Sequence, residues 1–381
     1  MTLPSTAGHS AQPADTAEAR AYNRQKRIIG IADAAIGFGV LLVLVVTPWS
    51  ASIRDVAWKL ARENYGLALL LYVMALATLT KLAGLALDYY SFRLEHRYHL
   101  SNQSLRSWLL DEGKGWLLGV VIGGIVAELI YFIIRNAPQW WWLIAWLAFI
   151  VLFVFFAQVA PVLLFPLFYK FVPLENEELK QRLVRLGEKA GAKVRGVYEW
   201  KLSEKSKKAN AALTGLGNTR RIILSDTLLA NYTNDEIEAV LAHELGHHVH
   251  QHIMKSIVVQ VAITFVGFWA ANLVLSYAVT TLRMYPEVYD FANLPLLALV
   301  SSGLSLLLLP VLNAFSRRNE WEADRYCWKA VPDVAPFISA MNKLSEQNLA
   351  ERNPSRIVEL LFHSHPPISK RIAAAEQFAA R

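Results

Sequence analysis

Cysteine is nearly absent from this sequence, because Cys327 is the only one among 381 residues. A single cysteine excludes an internal disulfide framework, and by itself it supports neither a metal site nor a thiol nucleophile. A nucleic-acid-binding surface is also lacking, since the basic residues behind the net charge of +7 cluster beside apolar spans. We therefore interpret Cys327 as a packing residue and exclude nucleic acid as a partner.

The N-terminal 20 residues lack both an apolar segment and the pattern of a secretory signal peptide. Their Ala, Ser, Thr and Pro content predicts a disordered tail over residues 1 to 20. The remainder is rich in hydrophobic residues, which make up 54% of the chain and are concentrated in long uncharged runs. Such runs are typical of an integral membrane protein, so membrane lipids are expected partners.

Six apolar runs are long enough to be transmembrane spans, and they cover about residues 28–48, 67–87, 116–134, 140–168, 257–279 and 294–315. Pro161 and Pro166 predict a kink or break near the end of the fourth span. The predicted fold is mainly α: a polytopic α-helical membrane protein with a small cytoplasmic α+β part that contains a short β-sheet. Because no internal repeat or second domain is evident, residues 21 to 381 are predicted to form one domain, with soluble catalytic parts at about 170–253 and 316–381.

Basic residues predict the orientation of the chain in the membrane. Four of them precede the first span: Arg20, Arg24, Lys26 and Arg27. Because basic residues favour the cytoplasmic side, the N-terminus is predicted to be cytoplasmic. The predicted outer loops hold few basic residues, and six spans return the C-terminus to the cytoplasm. The soluble parts are then cytoplasmic too.

The soluble segment after the fourth span predicts a small α+β unit. An amphipathic helix is expected over residues 175 to 190, and short strands over residues 194–200, 209–214 and 221–224. A helical run from Asn234 to His252 follows. No helix breaker separates it from the fifth span, so the two are predicted to form one continuous helix.

This helical run contains an HExxH motif, His243 to His247. Histidines four positions apart lie on one face of a helix, so both imidazoles can bind one metal ion while Glu244 projects beside them. Zinc in a hydrolase takes three protein ligands and keeps a fourth position for water, whose pKa falls toward about 7. The motif predicts one zinc ion per chain, with Glu244 as the base.

The third ligand is expected from a later helix. A histidine six residues after His247 would mark a large class of such sites, but that position is Ile253. The run after the sixth span offers Glu320 as third ligand, and Asp324 one turn later can orient a ligand histidine. Glu322 is the rival ligand. An ordinary charged turn is the alternative interpretation of this run.

Other histidines follow the motif, namely His248, His250 and His252. Only His250 is near the predicted ligand face, and two histidines with one glutamate already complete a catalytic zinc site. We therefore predict that these three side chains belong to a solvated or interfacial face.

The motifs resemble those of the membrane zinc-protease family that includes the type I CAAX prenyl proteases and their bacterial relatives. The resemblance extends from Tyr22 to the C-terminus. It depends on seven segments taken together, which are residues 95–105, 161–174, 208–211, 243–248, 316–324, 365–367 and 371–372. Eukaryotic members have seven spans and this chain is predicted to lack the first, which indicates a bacterial member in the inner (plasma) membrane.

The resemblance implies roles for residues that spacing alone does not single out. Asn210, His365 and Arg371 match positions that line the active site beside an edge strand, and His365 or Arg371 would stabilise the oxyanion. A zinc site that opens into a chamber between transmembrane helices is also implied. Judged without the resemblance, His365 is a turn residue and Arg371 lies on a solvated helix face.

The strand that contains Asn210 and Ala211 is a candidate substrate-binding strand. Zincins bind the scissile peptide extended, and the small residues from Ala209 to Ala212 let another backbone approach. An ordinary hairpin packed under the motif helix, with a turn at residues 215 to 218, is the equally open alternative.

The sequence thus predicts a zinc metalloendopeptidase of the gluzincin type that acts on peptides or proteins. Lipidated and membrane-bound substrates are both open. A quality-control protease for membrane proteins, without prenyl specificity, is one alternative. A transporter with a structural zinc is another, because Asp33, Lys81 and Glu128 lie within spans and could line a path. Glu244 favours the protease, since a structural site needs no base.

Overall fold

Six long apolar helices dominate the structure, a computed structural model that describes residues 15 to 215, 220 to 331 and 333 to 381. They are α1 (Ala17–Val46), α3 (Tyr65–Arg97), α4 (Leu105–Asn136), α5 (Trp141–Val159), α9 (His252–Thr280) and α10 (Leu294–Ala330). Within the described residues, all six are long and apolar enough to cross a membrane. The predicted polytopic α-helical fold is confirmed, and the protein is an integral membrane protein. A shorter helix, α2 (Trp49–Leu60), lies between α1 and α3.

The start of α1 corrects the predicted tail, because residues 17 to 20 are helical rather than disordered. The hydroxyl of Thr16 caps the helix by accepting a hydrogen bond from the Ala19 N–H at 3.0 Å. The first turns also contact the C-terminal part, where Asn23 donates to the Leu349 carbonyl at 2.7 Å. Capping and tertiary contact stabilise a segment whose composition indicates disorder. Residues 1 to 14 of the predicted tail lie outside the described residues.

The end of the fourth span contains the two prolines. Regular α-helix ends at Val159, and a π-helical turn (Ala160–Leu164) and a 3-10 turn (Phe165–Leu167) follow. Pro161 and Pro166 lie in these turns, where the sequence predicts a kink or break. A proline ring blocks the hydrogen bond to the preceding turn, which explains the change of geometry.

The soluble segment forms a four-stranded mixed sheet and three helices. Its elements are β1 (Phe171–Pro173), α6 (Glu177–Lys189), β2 (Val194–Trp200), β3 (Ala211–Thr214), β4 (Arg220–Ser225), α7 (Asp226–Asn231) and α8 (Asn234–Val249). The strand order is β1-β2-β4-β3, so β3 is an edge strand among the described residues. β2 runs parallel to β4, and β3 runs antiparallel to it.

Two details of the sheet differ from the expectation. β1 is an additional strand, and β3 begins at Ala211 rather than at residue 209. The Ala209 N–H donates to the Asn348 side chain at 3.0 Å, so a side chain replaces a ladder partner there. Most of the predicted turn at residues 215 to 218 lies outside the described residues.

The motif helix does not continue into the membrane, and the predicted continuous helix is wrong. α8 ends at Val249, and α9 begins at His252 as a separate helix. Between them, Gln251 has a left-handed backbone with a φ of 54°. The sequence conceals this break, because only Gly, Asn or Asp commonly signal such a conformation.

α10 is continuous through the membrane and beyond it, as the sequence predicts. Three further helices follow: α11 (Ala335–Gln347), α12 (Arg356–Phe362) and α13 (Ile368–Ala379). The buried soluble core combines residues of α6, the sheet, α8, the last turns of α10, α11 and α13. Because α10 belongs to both the membrane bundle and this core, it brings residues beyond the sixth span to the motif helix.

Candidate metal centre and active site

The start of α8 is fixed by its capping residues. Thr233 and Glu236 form a reciprocal capping box, which satisfies two N–H groups of the first turn. The buried carboxylate of Glu236 also accepts hydrogen bonds from Ser339 at 2.6 Å and from Lys343 at 2.7 Å, both on α11. The motif helix is therefore anchored two turns before His243.

Three side chains converge at the other end of α8: His243, His247 and Glu320. The two Nε2 atoms lie 3.2 Å apart, and each lies near a Glu320 carboxylate oxygen, at 3.3 Å for His243 and 3.4 Å for His247. A tetrahedral zinc ion with bonds of about 2.0 to 2.1 Å places its ligand atoms roughly 3.3 Å apart. The spacing of these three side chains therefore fits a zinc ion, and Glu320, the expected third ligand, lies beside the two histidines.

A close approach of two backbones makes this convergence possible. A Cβ atom added to Gly246 would lie 2.7 Å from the Ala323 Cα on α10, which is far inside contact distance. The glycine between the motif histidines thus lets α10 touch α8. Glu320 lies one turn before Ala323 and is 4% exposed, so this contact brings its carboxylate to the two imidazoles.

Asp324 orients the first histidine. Its Oδ1 lies 2.8 Å from the His243 Nδ1, which leaves Nε2 free to face the other ligands. Arg371 donates to both Asp324 oxygens, from Nε at 2.8 Å and from Nη2 at 2.6 Å. Burial lowers the pKa of His243, but hydrogen bonds to the Asp324 and Glu320 carboxylates outweigh it and raise the pKa to about 9.

Glu244 contacts the sheet and lines the same cavity as His243. The Leu213 N–H of β3 donates a hydrogen bond to its carboxylate, and burial raises the pKa of this group above its ordinary value. A carboxyl with a raised pKa accepts and returns a proton more readily near neutral pH. This position, one residue after His243, suits a general base.

A cavity of about 410 Å³ adjoins Glu244 and contains most of the predicted site residues. Those that line it are Asn210, Ala211, His243, Glu244, His365 and Arg371. Sequence reasoning missed other lining residues, such as Asn23 of α1 and Asn348 after α11. No motif marks these two residues, because they reach the cavity only through the tertiary fold.

His365 and Arg371 occupy different positions in the site. The His365 Nε2 lies 3.3 Å from Glu320 Oε1, beside the metal ligands, and its side chain is exposed. Arg371 is buried and directs two of its nitrogens to Asp324. Of the two candidates for the oxyanion-binding group, His365 is the one whose ring remains accessible to substrate.

The rival ligand Glu322 lies away from the three convergent ligands. Its carboxylate contacts the Lys255 ammonium at 2.9 Å and His252 Nε2 at 3.1 Å. His252 is buried and its Nδ1 lies 3.0 Å from the His247 Nδ1. The prediction of a solvated or interfacial face is therefore wrong for His252, because the break at Gln251 turns its ring back onto α8.

The prediction for Cys327 agrees with the structure, since the thiol is buried and donates to the Ala239 carbonyl at 3.2 Å.

Two family models cover nearly the whole chain. The model described as "Peptidase family M48" matches residues 173 to 379, and that described as "CAAX prenyl protease N-terminal, five membrane helices" matches residues 1 to 170. The chain belongs to peptidase family M48. It is therefore a metalloprotease that acts on peptide or protein substrates from within a membrane. Residues 1 to 170 of this family member contain α1 to α5, of which α2 has 12 residues.

Relatives of this M48 protein include bacterial and eukaryotic proteins. It is 29% identical to the "Uncharacterized metalloprotease YhfN" of Bacillus subtilis, over 96% of this chain and 86% of that protein. It is 29% identical to "CAAX prenyl protease 1" of Saccharomyces cerevisiae, over 81% of this chain and 72% of the relative. The crystal structure of S. mikatae Ste24p matches with a TM-score of 0.82 and 25% identity, over 94% of this chain and 87% of that one.

Proposed function

We propose that this M48 protein is a zinc-dependent endopeptidase of the gluzincin type, with one zinc ion held by His243, His247 and Glu320. The observation that carries the proposal is the spacing of the three ligand atoms, which all lie within 4.8 Å of one another, and Glu244 lines the same cavity as His243. This spacing fits tetrahedral zinc with one position left for water. A structural site would not need the neighbouring carboxylate.

The chemistry follows from the surrounding side chains. His243, His247 and Glu320 would hold a zinc ion, which would supply a Lewis acid for the water molecule and the scissile carbonyl. Glu244 removes the water proton during attack and delivers a proton to the leaving amine. His365 donates a hydrogen bond to the developing oxyanion. Arg371 neutralises Asp324, which keeps the His243 ring oriented.

Metal removal tests this function directly. Dialysis of the purified, detergent-solubilised protein against a zinc chelator should reduce peptide cleavage to background. Stoichiometric zinc should restore it, because catalysis needs the Lewis acid. The measurement is cleavage of a fluorogenic peptide library together with metal content. Full cleavage by metal-free protein would contradict the proposal, and a transporter with a structural zinc would cleave nothing in either state.

Substrate binding is proposed to use the edge of β3 that no described strand covers. Asn210 is engaged with β4, because its carbonyl accepts from the Ser225 N–H and its N–H donates to the Ser225 hydroxyl, both at 2.9 Å. Antiparallel ladders alternate, so the N–H groups of Ala211 and Leu213 point away from β4. The bond from Leu213 to Glu244 agrees with this alternation. An extended peptide can pair with this edge, and Asn210 can bind it with a side chain that is exposed to the cavity.

Ala211→Pro should therefore reduce peptide cleavage by about tenfold or more with zinc content unchanged, because it removes one main-chain donor at the edge. Ala211→Ser is the matched control, since it keeps the N–H and adds only one oxygen atom. Steady-state kinetics and metal analysis of both variants provide the measurement. Normal cleavage by the proline variant would place the substrate elsewhere.

The sidedness of the protein is also a proposal: both termini and the metal site face the cytoplasm of a bacterium, and the protein lies in its inner (plasma) membrane. A cysteine at Glu287, in the exposed loop between α9 and α10, should react with an impermeant thiol reagent on intact cells. A cysteine at the exposed Lys189 should react only after lysis. The native Cys327 is buried and contributes little background. The reverse labelling pattern would place the active site outside.

We propose that the membrane part and the soluble part act as one domain over residues 21 to 381. α10 supports this, because Glu320 and Asp324 follow its membrane-spanning turns without a break.

The transporter alternative has less support. Lys81 lies 2.5 Å from Asp88 and also pairs with Glu112, whereas Glu128 lies against Gly66 at the start of α3. Lys81 is thus paired with carboxylates, Asp33 lies against Gly84 near it on α3, and Glu128 lies toward the other end of that helix.

We propose a lipidated peptide as the substrate class. Relatives named CAAX prenyl proteases support a lipidated peptide substrate, whereas the bacterial relative YhfN is named only as a metalloprotease. A quality-control protease for membrane proteins is the alternative. Cleavage of one peptide with and without a prenyl group separates the two, because equal rates would support the alternative and prenyl-dependent rates the first.

A further inference from the structure

A second series of polar contacts begins at the proposed metal ligands and does not include Asp324. It begins at His247, whose Nε2 faces His243 and Glu320. The other ring nitrogen, Nδ1, lies 3.0 Å from the Nδ1 of His252. The Nε2 of His252 lies 3.1 Å from a carboxylate oxygen of Glu322. Three helices, α8, α9 and α10, thus contribute one side chain each.

The position of His252 depends on the break between α8 and α9. Gln251 adopts a left-handed conformation between the two helices, and the first side chain of α9 lies against His247 of α8. As a result His252 is only 3% exposed, although it follows the exposed C-terminal turn of α8. A buried imidazole requires hydrogen-bond partners for both nitrogens, and His247 and Glu322 supply them.

We propose that His252 and Glu322 are positioning residues that hold the His247 ring in the orientation required of a zinc ligand. This inference rests on the proposed zinc site. When Nε2 of His247 binds metal, its proton is on Nδ1 and donates to Nδ1 of His252. The proton of His252 is then on Nε2 and donates to Glu322. Each of the two protons has one acceptor, so these contacts select one tautomer of each ring.

His252 and Glu322 contact His247 much as Asp324 and Arg371 contact His243, with one difference. His243 reaches the Asp324 carboxylate directly, and Arg371 balances that charge. His247 reaches its carboxylate through an intervening imidazole, and Lys255 balances Glu322 at 2.9 Å. The same device, a carboxylate paired with a cation, therefore orients both ligand histidines.

Zinc affinity of the purified full-length protein tests the inference. His252→Ala should weaken zinc binding by about 10- to 100-fold in chelator competition, because outer hydrogen-bond partners of metal ligands contribute that much. The visible spectrum of the cobalt-substituted protein should change as well, since the His247 ring is released. His252→Gln should restore part of the affinity, because its amide oxygen can accept from His247 and its amide nitrogen can donate to Glu322.

His250→Ala is the matched control, because this histidine stacks on His252 with ring centroids 5.6 Å apart and makes no described contact with a zinc ligand. It should bind zinc as the wild type does. Zinc affinity of His252→Ala within twofold of the wild type would overturn the inference. If that variant does not fold, Glu322→Ala decides, since Glu322 is partly exposed: weaker zinc binding supports the inference and unchanged binding overturns it. A wild-type protein that binds no zinc would instead contradict the proposed function.

Discussion

Glu244→Gln should lose at least ~100-fold in peptide cleavage while it keeps its fold and its zinc, because a positioned acid-base group contributes that much to rate. The amide has the size of the carboxyl, and its oxygen can still accept from the Leu213 N–H. Glu244 is not among the three convergent ligands, so metal binding does not depend on it. The measurement combines the rate of peptide cleavage with zinc content and thermal stability.

Glu238→Gln provides a control on the same helix. Glu238 pairs with Arg182 of α6, on the side of α8 away from the cavity. Its loss should leave cleavage unchanged, because surface ion pairs contribute little to stability. Metal loss or full activity in Glu244→Gln would contradict the assignment of the base. The inactive protein would also retain bound substrates, and proteomics of membranes that carry it can identify them.

Glu320→Ala should abolish stoichiometric zinc binding and activity, because only two histidines would remain as ligands. Removal of a catalytic metal lowers the rate to background, which makes this effect as large as the loss of the base. Equilibrium dialysis of the purified variant against zinc, followed by metal analysis, provides the measurement.

Glu322→Ala is the matched comparison, since the side chain has the same chemistry and lies two positions away on α10. It should still bind one zinc ion at saturating metal, although more weakly, because it acts through His252 rather than on the metal. Equal loss of stoichiometry in both variants, or loss only in Glu322→Ala, would transfer the ligand role to Glu322.

Local sequence determined the elements of this protein. Long apolar runs predict six membrane helices, since each run alone is long enough to span a bilayer. His243 and His247 could be assigned to one helix face because their separation matches the helical period. The strand over residues 194 to 200 was predicted with its observed bounds from its composition alone. Helical periodicity and strand propensity depend on residues that are close in sequence, so the sequence alone indicates these elements.

The tertiary structure decided which distant residues meet. Glu320 was preferred over Glu322 from the sequence, but only the contact between Gly246 and α10 brings the first carboxylate to the histidines and leaves the second outside. The sequence predicts a continuous helix through His252, whereas the left-handed Gln251 interrupts it and the His252 ring lies against His247. The contacts of α10 with His243 and with His252 join residues 81 and 70 positions apart, and a left-handed residue other than glycine leaves no sequence signal. They depend on how the helices pack, which no local pattern encodes.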